Sequence, residues 1–287
     1  MTGIAQVGAL RRLPIRIGRD QFGTPLIWDP VTGGHTLMAG ATRSGKSVGA
    51  MNTLGGLAGH PAVRVCGFDP SRVLLHPFMQ RFADPWIVLG TGDPQRIAAV
   101  MDEWLGEMDR RLDALVARGV DKLDEFTARE PLHFIVLEEW PGLVRALDSY
   151  DKASGAKVAD RLLSRVQLGF LRLASEGHKV GVRLLLICQR ADAAIIDGYA
   201  REQLTQRISF RQNGVEGLRM MFPNLEPAEL ARAQHLEPGC GYLSTPATRG
   251  HQLFKCDSVV SYQRYVDRVK SFTPQVLQRI AADQGCL

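Results

Sequence analysis

The sequence has no long apolar run. Its most hydrophobic uncharged stretches, such as LLLIC at 184 to 188, fall far short of the roughly 20 residues that a membrane-spanning helix needs, and the N-terminal residues carry no signal-peptide core. The expectation is a cytoplasmic chain with no intrinsic membrane segment, for which any membrane association runs through a partner. Cysteine is sparse: Cys66, Cys188, Cys240, Cys256 and Cys286 are scattered, odd in number and never spaced as CxxC, which argues against a disulfide framework or a zinc site. There is no Pro/Gly/Ser-rich tract, no single-residue run and no internal repeat, so nothing points to disorder or to a solenoid. Excess charge is modest as well. A net charge of +5 is compatible with a polyanionic partner but does not select one.

What is present is the composition of a globular protein, 45% hydrophobic and 23% charged over 287 residues, enough for one large domain with elaborations. Apolar, β-branched runs recur at 35–40 (HTLMAG), 63–69 (VRVCGFD), 86–90 (WIVLG), 132–139 (LHFIVLEE), 182–189 (VRLLLICQ) and 207–211 (RISFR). They are continuous rather than alternating, the pattern of parallel strands buried on both faces. Between them the spacing predicts amphipathic helices over 95–118, ended by Gly119, and over roughly 157–176. The fold class expected is α/β, a largely parallel sheet flanked by helices. Short strands joined by a Gly-containing turn make a lead-in over 1–34; the main domain covers 35–262, closing on a hairpin through GCGYLSTP and HQLFKCD; a helical tail covers 263–287.

The stretch GATRSGKS, Gly40 to Ser47, matches G-x-x-x-x-G-K-[ST] in full, with an apolar strand before it and a helical segment after it. A chance match in a chain of this length is on the order of one in a hundred before that context is demanded. Gly40 and Gly45 let backbone N–H groups curl around a β-phosphate, and the following helix aims its N-terminal donors at the same anion. Lys46 reaches the β and γ oxygens and the Ser47 hydroxyl ligates magnesium. The nucleotide-binding set is Gly40, Ala41, Thr42, Arg43, Ser44, Gly45, Lys46, Ser47 and Val48, with ATP and Mg2+ as the expected ligands.

A hydrolase of this kind also needs acids at the end of a neighbouring strand. FIVLEEW supplies Glu138 for the metal, through water, and Glu139 to polarise the attacking water. Adjacent strand residues point to opposite faces, so this division of work requires the sheet to end there and the loop to re-aim one carboxylate. Gln189, emerging from the apolar strand VRLLLICQ, stands where a γ-phosphate sensor would.

With these residues located, the chain resembles the motor domain of the FtsK/SpoIIIE family of DNA-pumping ATPases from about residue 13 to 245. LPIRIGRDQFGTPLIWD is similar to the family's lead-in, GHTLMAGATRSGKSVGAMN to its phosphate-loop segment, EMDRRL to an E-M-x-R-R helix, and FIVLEEWPGL to its acidic strand. GVRLLLICQRADAAIIDGYAREQLTQRISFR follows the G-[IV]-H-L-x-L-A-T-Q-R to R-I-A-F pattern, and LEPGCGYL resembles its closing strand. The resemblance implies a P-loop NTPase with a RecA-like core, assembly into a ring, a hexamer, around double-stranded DNA, and hydrolysis coupled to translocation. Conjugative transfer or DNA segregation is the process implied, with a membrane, relaxase or replication protein as a further partner. Six positions, in four places, depart from the family. Glu138 stands where an aspartate is usual, Ser71 and Arg72 where a lysine is expected, His178 and Lys179 where many members carry an arginine acting on the neighbouring subunit, and Arg43 where glycine is usual. Arg190 and Arg201, and less so Arg161, Arg165 and Arg172, are the candidate phosphate contacts to DNA. Two alternatives remain at this point: a protein-secretion motor, and a nucleotide-binding regulatory subunit with little turnover.

Overall fold

A computed structural model describes residues 9–191, 196, 198–246, 250–259, 261–273, 275–276 and 279–280, the side chains of 81 and 82 excepted. The six apolar runs form strands β3 (Thr36–Ala39), β4 (Val63–Asp69), β5 (Ile87–Leu89), β6 (Leu132–Leu137), β7 (Val182–Cys188) and β8 (Gln206–Phe210). Their pairings, β8 with β3, β3 with β7, β7 with β6, β6 with β4 and β4 with β5, are all parallel. Every residue of β3, β6 and β7 is buried, as the unbroken apolar runs require.

The lead-in strands β1 (Ile15–Asp20) and β2 (Pro25–Trp28) and the closing hairpin, β9 (Cys240–Ser244) and β10 (Gln252–Cys256), are not separate from this sheet. They extend it in antiparallel fashion beyond β8, giving ten strands in the order β2-β1-β10-β9-β8-β3-β7-β6-β4-β5. The turn between β1 and β2 is drawn tight by Asp20, whose Oδ1 accepts from Phe22 N at 2.9 Å and Thr24 N at 2.8 Å.

Helices flank the sheet. After α1 (Lys46–Leu57) and α2 (His76–Phe82), the long α3 (Pro94–Arg118) runs as its periodicity predicts and stops at Gly119, which adopts φ 67°. Then come α4 (Trp140–Ser154) and α5 (Leu162–Glu176). The expected helix over 157–176 therefore begins late, after a short 3-10 turn at Val158–Asp160. The reason is a cap from another helix: the buried Asp151 carboxylate accepts from Leu162 N at 3.0 Å and Leu163 N at 2.9 Å, satisfying the first N–H groups of α5.

Short helices α6 (Gly198–Gln203), α7 (Val215–Met221) and α8 (Pro227–Gln234) follow, and then α9 (Tyr262–Ser271). It packs on α1 and α2, with Tyr262 and Tyr265 donating hydroxyls to the carbonyls of Val73 and Leu74 at 3.0 and 2.6 Å. Most of the predicted tail helix through TPQVLQRIAADQ lies outside the described residues. Large aromatics fill the layers between sheet and helices: Trp104 stacks on Phe68 with centroids 4.6 Å apart, and Trp28 meets Phe134 edge-on.

The EMDRRL segment has a structural task. Arg111, on α3, is 1% exposed and donates to Glu107 at 2.7 Å, to the carbonyls of Pro131 and Val180 at 3.0 and 2.9 Å, and bonds the His133 ring at 3.0 Å. One guanidinium thus ties the long helix to the chain entering β6 and β7, the two strands that carry the acids and the glutamine.

Candidate nucleotide site

The loop from Gly40 to Gly45 joins the end of β3 to the first residue of α1, Lys46. Gly45 sits at φ 99°, a conformation that favours glycine, and a Cβ there would lie 2.5 Å from the Gly239 nitrogen. A Cβ on Gly40 would lie 2.6 Å from Ser44 Oγ and 2.8 Å from Phe210 Cβ. The loop is braced from two sides, by Ala41 N donating to Arg211 O and by Gly239 N donating to Ser44 O, each at 2.8 Å. That second brace, with Pro238 at the rim, is a part of the site that the sequence reading did not assign.

Thr42, Arg43, Lys46, Ser47, Val48, Glu138, Glu139, Gln189 and Pro238, with Ala41 and Gly45, line one cleft of about 500 Å³. Gly40 and the fully buried Ser44 lie in the body of the loop and not in the lining. The acids stand not on the strand adjacent to the phosphate-loop strand, where the sequence alone places them, but one strand farther out. β7 is inserted between β3 and β6. Register makes the arrangement work: Cys188 pairs with Ala39 and Leu186 with Leu137, so Gln189 emerges beside the start of the phosphate loop and the glutamates emerge one strand farther out. Cys188 itself is a packing residue, since burial pushes its thiol up to about 12.

Glu139 is the re-aimed carboxylate. Its backbone takes φ 44° and ψ 50°, left-handed for a residue with a side chain, and α4 starts directly after it. In this position Glu139 Oε2 stands 3.7 Å from Lys46 Nζ. Glu138 continues the strand, its N–H donating to Phe68 O at 2.9 Å. Its Oε2 is buried and has no hydrogen-bond partner among the described residues. Burial, with the Asp69 and Glu139 carboxylates adding to it, pushes the Glu138 carboxyl up to about 7, against the opposing pull of Lys46 and of the Ser71 N–H. Among the described residues no three His, Cys, Asp or Glu side chains gather to hold a metal. The Ser47 hydroxyl and the Glu138 carboxylate in the cleft are oxygen donors that suit a hard cation completing its shell with water and phosphate oxygens, as magnesium does. The orphaned Oε2 is the atom such a cation's shell would satisfy.

Elsewhere the structure is less kind to sequence expectations. His178 lies at the opposite end of β7 from Gln189, where its Nε2 donates to the Gly33 carbonyl at 3.2 Å. Burial and the Arg183 guanidinium hold it down at about 4, so the ring is neutral at physiological pH and supplies no cation. Lys179 is exposed beside it. Of the candidate DNA contacts, Arg165 pairs with Asp102, Arg172 with Asp109 and Glu176, and Arg190 with Glu216. The first two pairs join α5 to α3. Arg161 is exposed, and Arg201 lines a second cleft with Arg207 and Arg219. Residues 192–195 and 197 of the intervening ADAAIID segment lie outside the described residues.

The strand order β8-β3-β7-β6-β4, with one strand inserted between phosphate loop and acids, and the convergence of both on one cleft, define a P-loop NTPase of RecA-like architecture. Residues 8–254 match the FtsK/SpoIIIE family, and the chain belongs to it. It is 29% identical over 209 residues to the DNA translocase FtsK of Borreliella burgdorferi, covering 69% of this chain and 25% of that protein. It is also 29% identical over 206 residues to the DNA translocase SftA of Bacillus subtilis, covering 69% and 20%. The chain thus spans a quarter or less of these two relatives. Among solved structures, the pCW3 conjugation coupling protein TcpA, in its monomer form with ATPγS, superposes with TM-score 0.69 at 19% identity over 97% of this chain and 75% of that one. The cytoplasmic domain of the Thermomonospora curvata type VII secretion ATPase EccC gives 0.67 at 24% identity, over 92% and 32%. Among the described residues no helix is long and apolar enough to cross a membrane.

Proposed function

We propose that the chain hydrolyses ATP to drive translocation of double-stranded DNA, working as a ring of identical subunits, a hexamer, in conjugative transfer or segregation. The observation that carries the reading is the convergence of Lys46, Ser47, Glu138, Glu139 and Gln189, from three separate segments, on one cleft at the strand ends. Membership of a family whose relatives are named DNA translocases supports the choice of substrate.

In this reading the loop N–H groups and the N-terminus of α1 hold the β-phosphate, and Lys46 neutralises charge between the β and γ groups. Ser47 and Glu138 hold magnesium, which when bound neutralises the developing charge on the phosphate oxygens. Glu139, fixed by its unusual backbone, orients the attacking water and draws off its proton. Gln189 reads the γ-phosphate at the end of β7, and Arg201, in the second cleft with Arg207 and Arg219, is the candidate contact to DNA phosphates. The subunit works in the cytoplasm, and a membrane, relaxase or replication protein brings it to the DNA.

The test is ATP turnover with and without linear duplex DNA across a salt series, beside size measurement with a non-hydrolysable analogue. Turnover stimulated by duplex and falling steeply with salt, on a ring-sized particle, is the expected result. Turnover indifferent to DNA removes the translocase reading, and a protein cargo becomes the next candidate.

A further inference from the structure

The half-buried stripe of α1 runs on past the nucleotide cleft. From Val48 to Gly55 only Val48, Met51 and Asn52 escape full burial, and their spacing of three and four puts them on one face of the helix. Val48 lines the nucleotide cleft, whereas Met51 and Asn52 line another, of about 390 Å³, whose far wall carries Arg264 and Arg268 of α9. The Arg268 stem crosses α1 at Gly55, where a Cβ would lie 3.3 Å from Arg268 Cδ. Asn52 comes five residues after Ser47, about 7.5 Å farther along the helix axis. That is the scale of the ribose that separates the phosphates of a nucleotide from its base.

The Asn52 amide is fixed in one sense. Its Nδ2 donates to the Asp257 carbonyl at 2.5 Å and to Cys256 Sγ at 3.1 Å. A carbonyl only accepts, so the amide must turn its NH2 toward Asp257, and Oδ1 is left as an acceptor to which no described residue donates. Across the cleft, Arg264 and Arg268 have no ion-pair partner among the described residues, and no described carboxylate lines the space between. A ligand entering here meets one free oxygen acceptor, two guanidinium groups and the apolar Met51 side chain. The volume falls within the roughly 300–1,000 Å³ of small-molecule sites.

We infer that this cleft is the nucleoside end of the nucleotide site and selects adenine: Asn52 Oδ1 accepts from the exocyclic amino group of the base, Met51 gives it an apolar contact, and the Arg264 and Arg268 guanidinium groups lie against its electron-rich ring. The inference rests on the nucleotide reading above and deepens it by naming what chooses the base. A 6-oxopurine presents a carbonyl where adenine presents an amino group, so Oδ1 would meet a lone pair in place of a hydrogen.

The experiment titrates the full chain, in the presence of magnesium, with ADP, with inosine diphosphate and with inorganic pyrophosphate, none of which supplies a γ-phosphate to hydrolyse. Wild type binds ADP about three- to tenfold more tightly than inosine diphosphate, the worth of one hydrogen bond. Asn52→Ala weakens ADP until the two nucleotides bind alike and leaves pyrophosphate unchanged. The double variant Arg264→Ala/Arg268→Ala, on the exposed face of α9, weakens both nucleotides and again leaves pyrophosphate unchanged. Equal affinity of wild type for ADP and inosine diphosphate overturns the inference alone, as does a preference for ADP that survives Asn52→Ala. Pyrophosphate binding that falls with nucleotide binding in the arginine double variant marks a general anion site and overturns it too. If wild type binds none of the three, the nucleotide reading and this inference fall together. Should Asn52→Ala fail to fold, having lost its bond to the Asp257 carbonyl, the wild-type preference and the arginine double variant still decide the matter.

Discussion

Lys46 Nζ and Glu139 Oε2 lie 3.7 Å apart across the cleft, and the backbone of Glu139 is left-handed at φ 44° to bring them there. The cation proposed to bind phosphate and the proposed base are therefore held against each other by strain in the chain rather than by a flexible carboxylate side chain reaching over. The two should separate by mutation. Glu139→Gln keeps shape and removes the base, so nucleotide affinity stays near wild type while turnover falls about a hundred- to ten-thousandfold. Lys46→Ala loses affinity and turnover together. Equilibrium binding of an ATP analogue alongside steady-state turnover distinguishes the patterns.

Glu138 predicts a pH signature in the nucleotide-free protein. Its folded value is raised from 4.5 to about 7, so its contribution is fully present below about pH 4.5 and is lost as pH rises through about 7, when a half-desolvated charge must form beside Asp69 and Glu139. Glu138→Gln carries no charge to form. Above pH 7 the variant is expected to exceed wild type in stability, on the order of 2 kcal/mol, and the gain should shrink toward pH 5. Urea melts at several pH values measure it, and a pH-independent difference would show that the carboxyl is not raised.

Much of this was legible because the information is local. Continuous β-branched runs marked the six parallel strands, and the phosphate loop, Glu138, Glu139 and Gln189 each follow such a run directly. What sequence could not reveal depends on partners far away in the chain. The insertion of β7 between β3 and β6 is a matter of sheet order, and the Gly239 brace on Ser44 joins residues nearly two hundred positions apart. His178 is the clearest case. Its neutral state depends on burial in the fold and on the Arg183 guanidinium of β7, against the opposing pull of the Gly33 carbonyl of the lead-in. That one of the two carboxylates must be re-aimed follows from the sequence, but which one turns, and that it does so through a left-handed backbone at Glu139, does not.

Arg43 offers a test in which stability and activity move in opposite directions. It holds φ 61° with a full side chain, where the resemblance led one to expect glycine. The left-handed backbone costs an L-residue about 1–2 kcal/mol, and glycine returns roughly half of the relief as unfolded-chain entropy. Arg43→Gly should therefore raise stability by up to about 1 kcal/mol. Since Arg43 lines the cleft and His178 is neutral, the guanidinium is the cation proposed to compensate near the γ-phosphate. Lower turnover in a more stable variant supports that role; unchanged turnover in the assembled form removes it.

The Glu107–Arg111 pair extends the argument to the scaffold that aims the site. Burial alone would raise the Glu107 carboxyl, but hydrogen bonds from Arg110 and Arg111 hold it down at about 2. A lowered folded value means that the stabilisation is present above about pH 4.5 and is lost as pH falls through about 2. Glu107→Gln leaves the Arg111 guanidinium, 1% exposed, with carbonyl and imidazole partners but without its ion-pair partner, only Glu130 still acting on it as an opposite charge. At pH 7 the expected loss is about 2–3 kcal/mol, reduced from that of a fully buried pair because the Glu107 side chain is 20% exposed. Thermal melts from pH 7 to pH 2 should show wild type and Glu107→Gln converging at the acid end. Because Arg111 pins α3 to the chain entering β6 and β7, the variant should also weaken nucleotide binding without touching the cleft, and a gap in stability that does not narrow on acidification would show that packing, not charge, holds this joint.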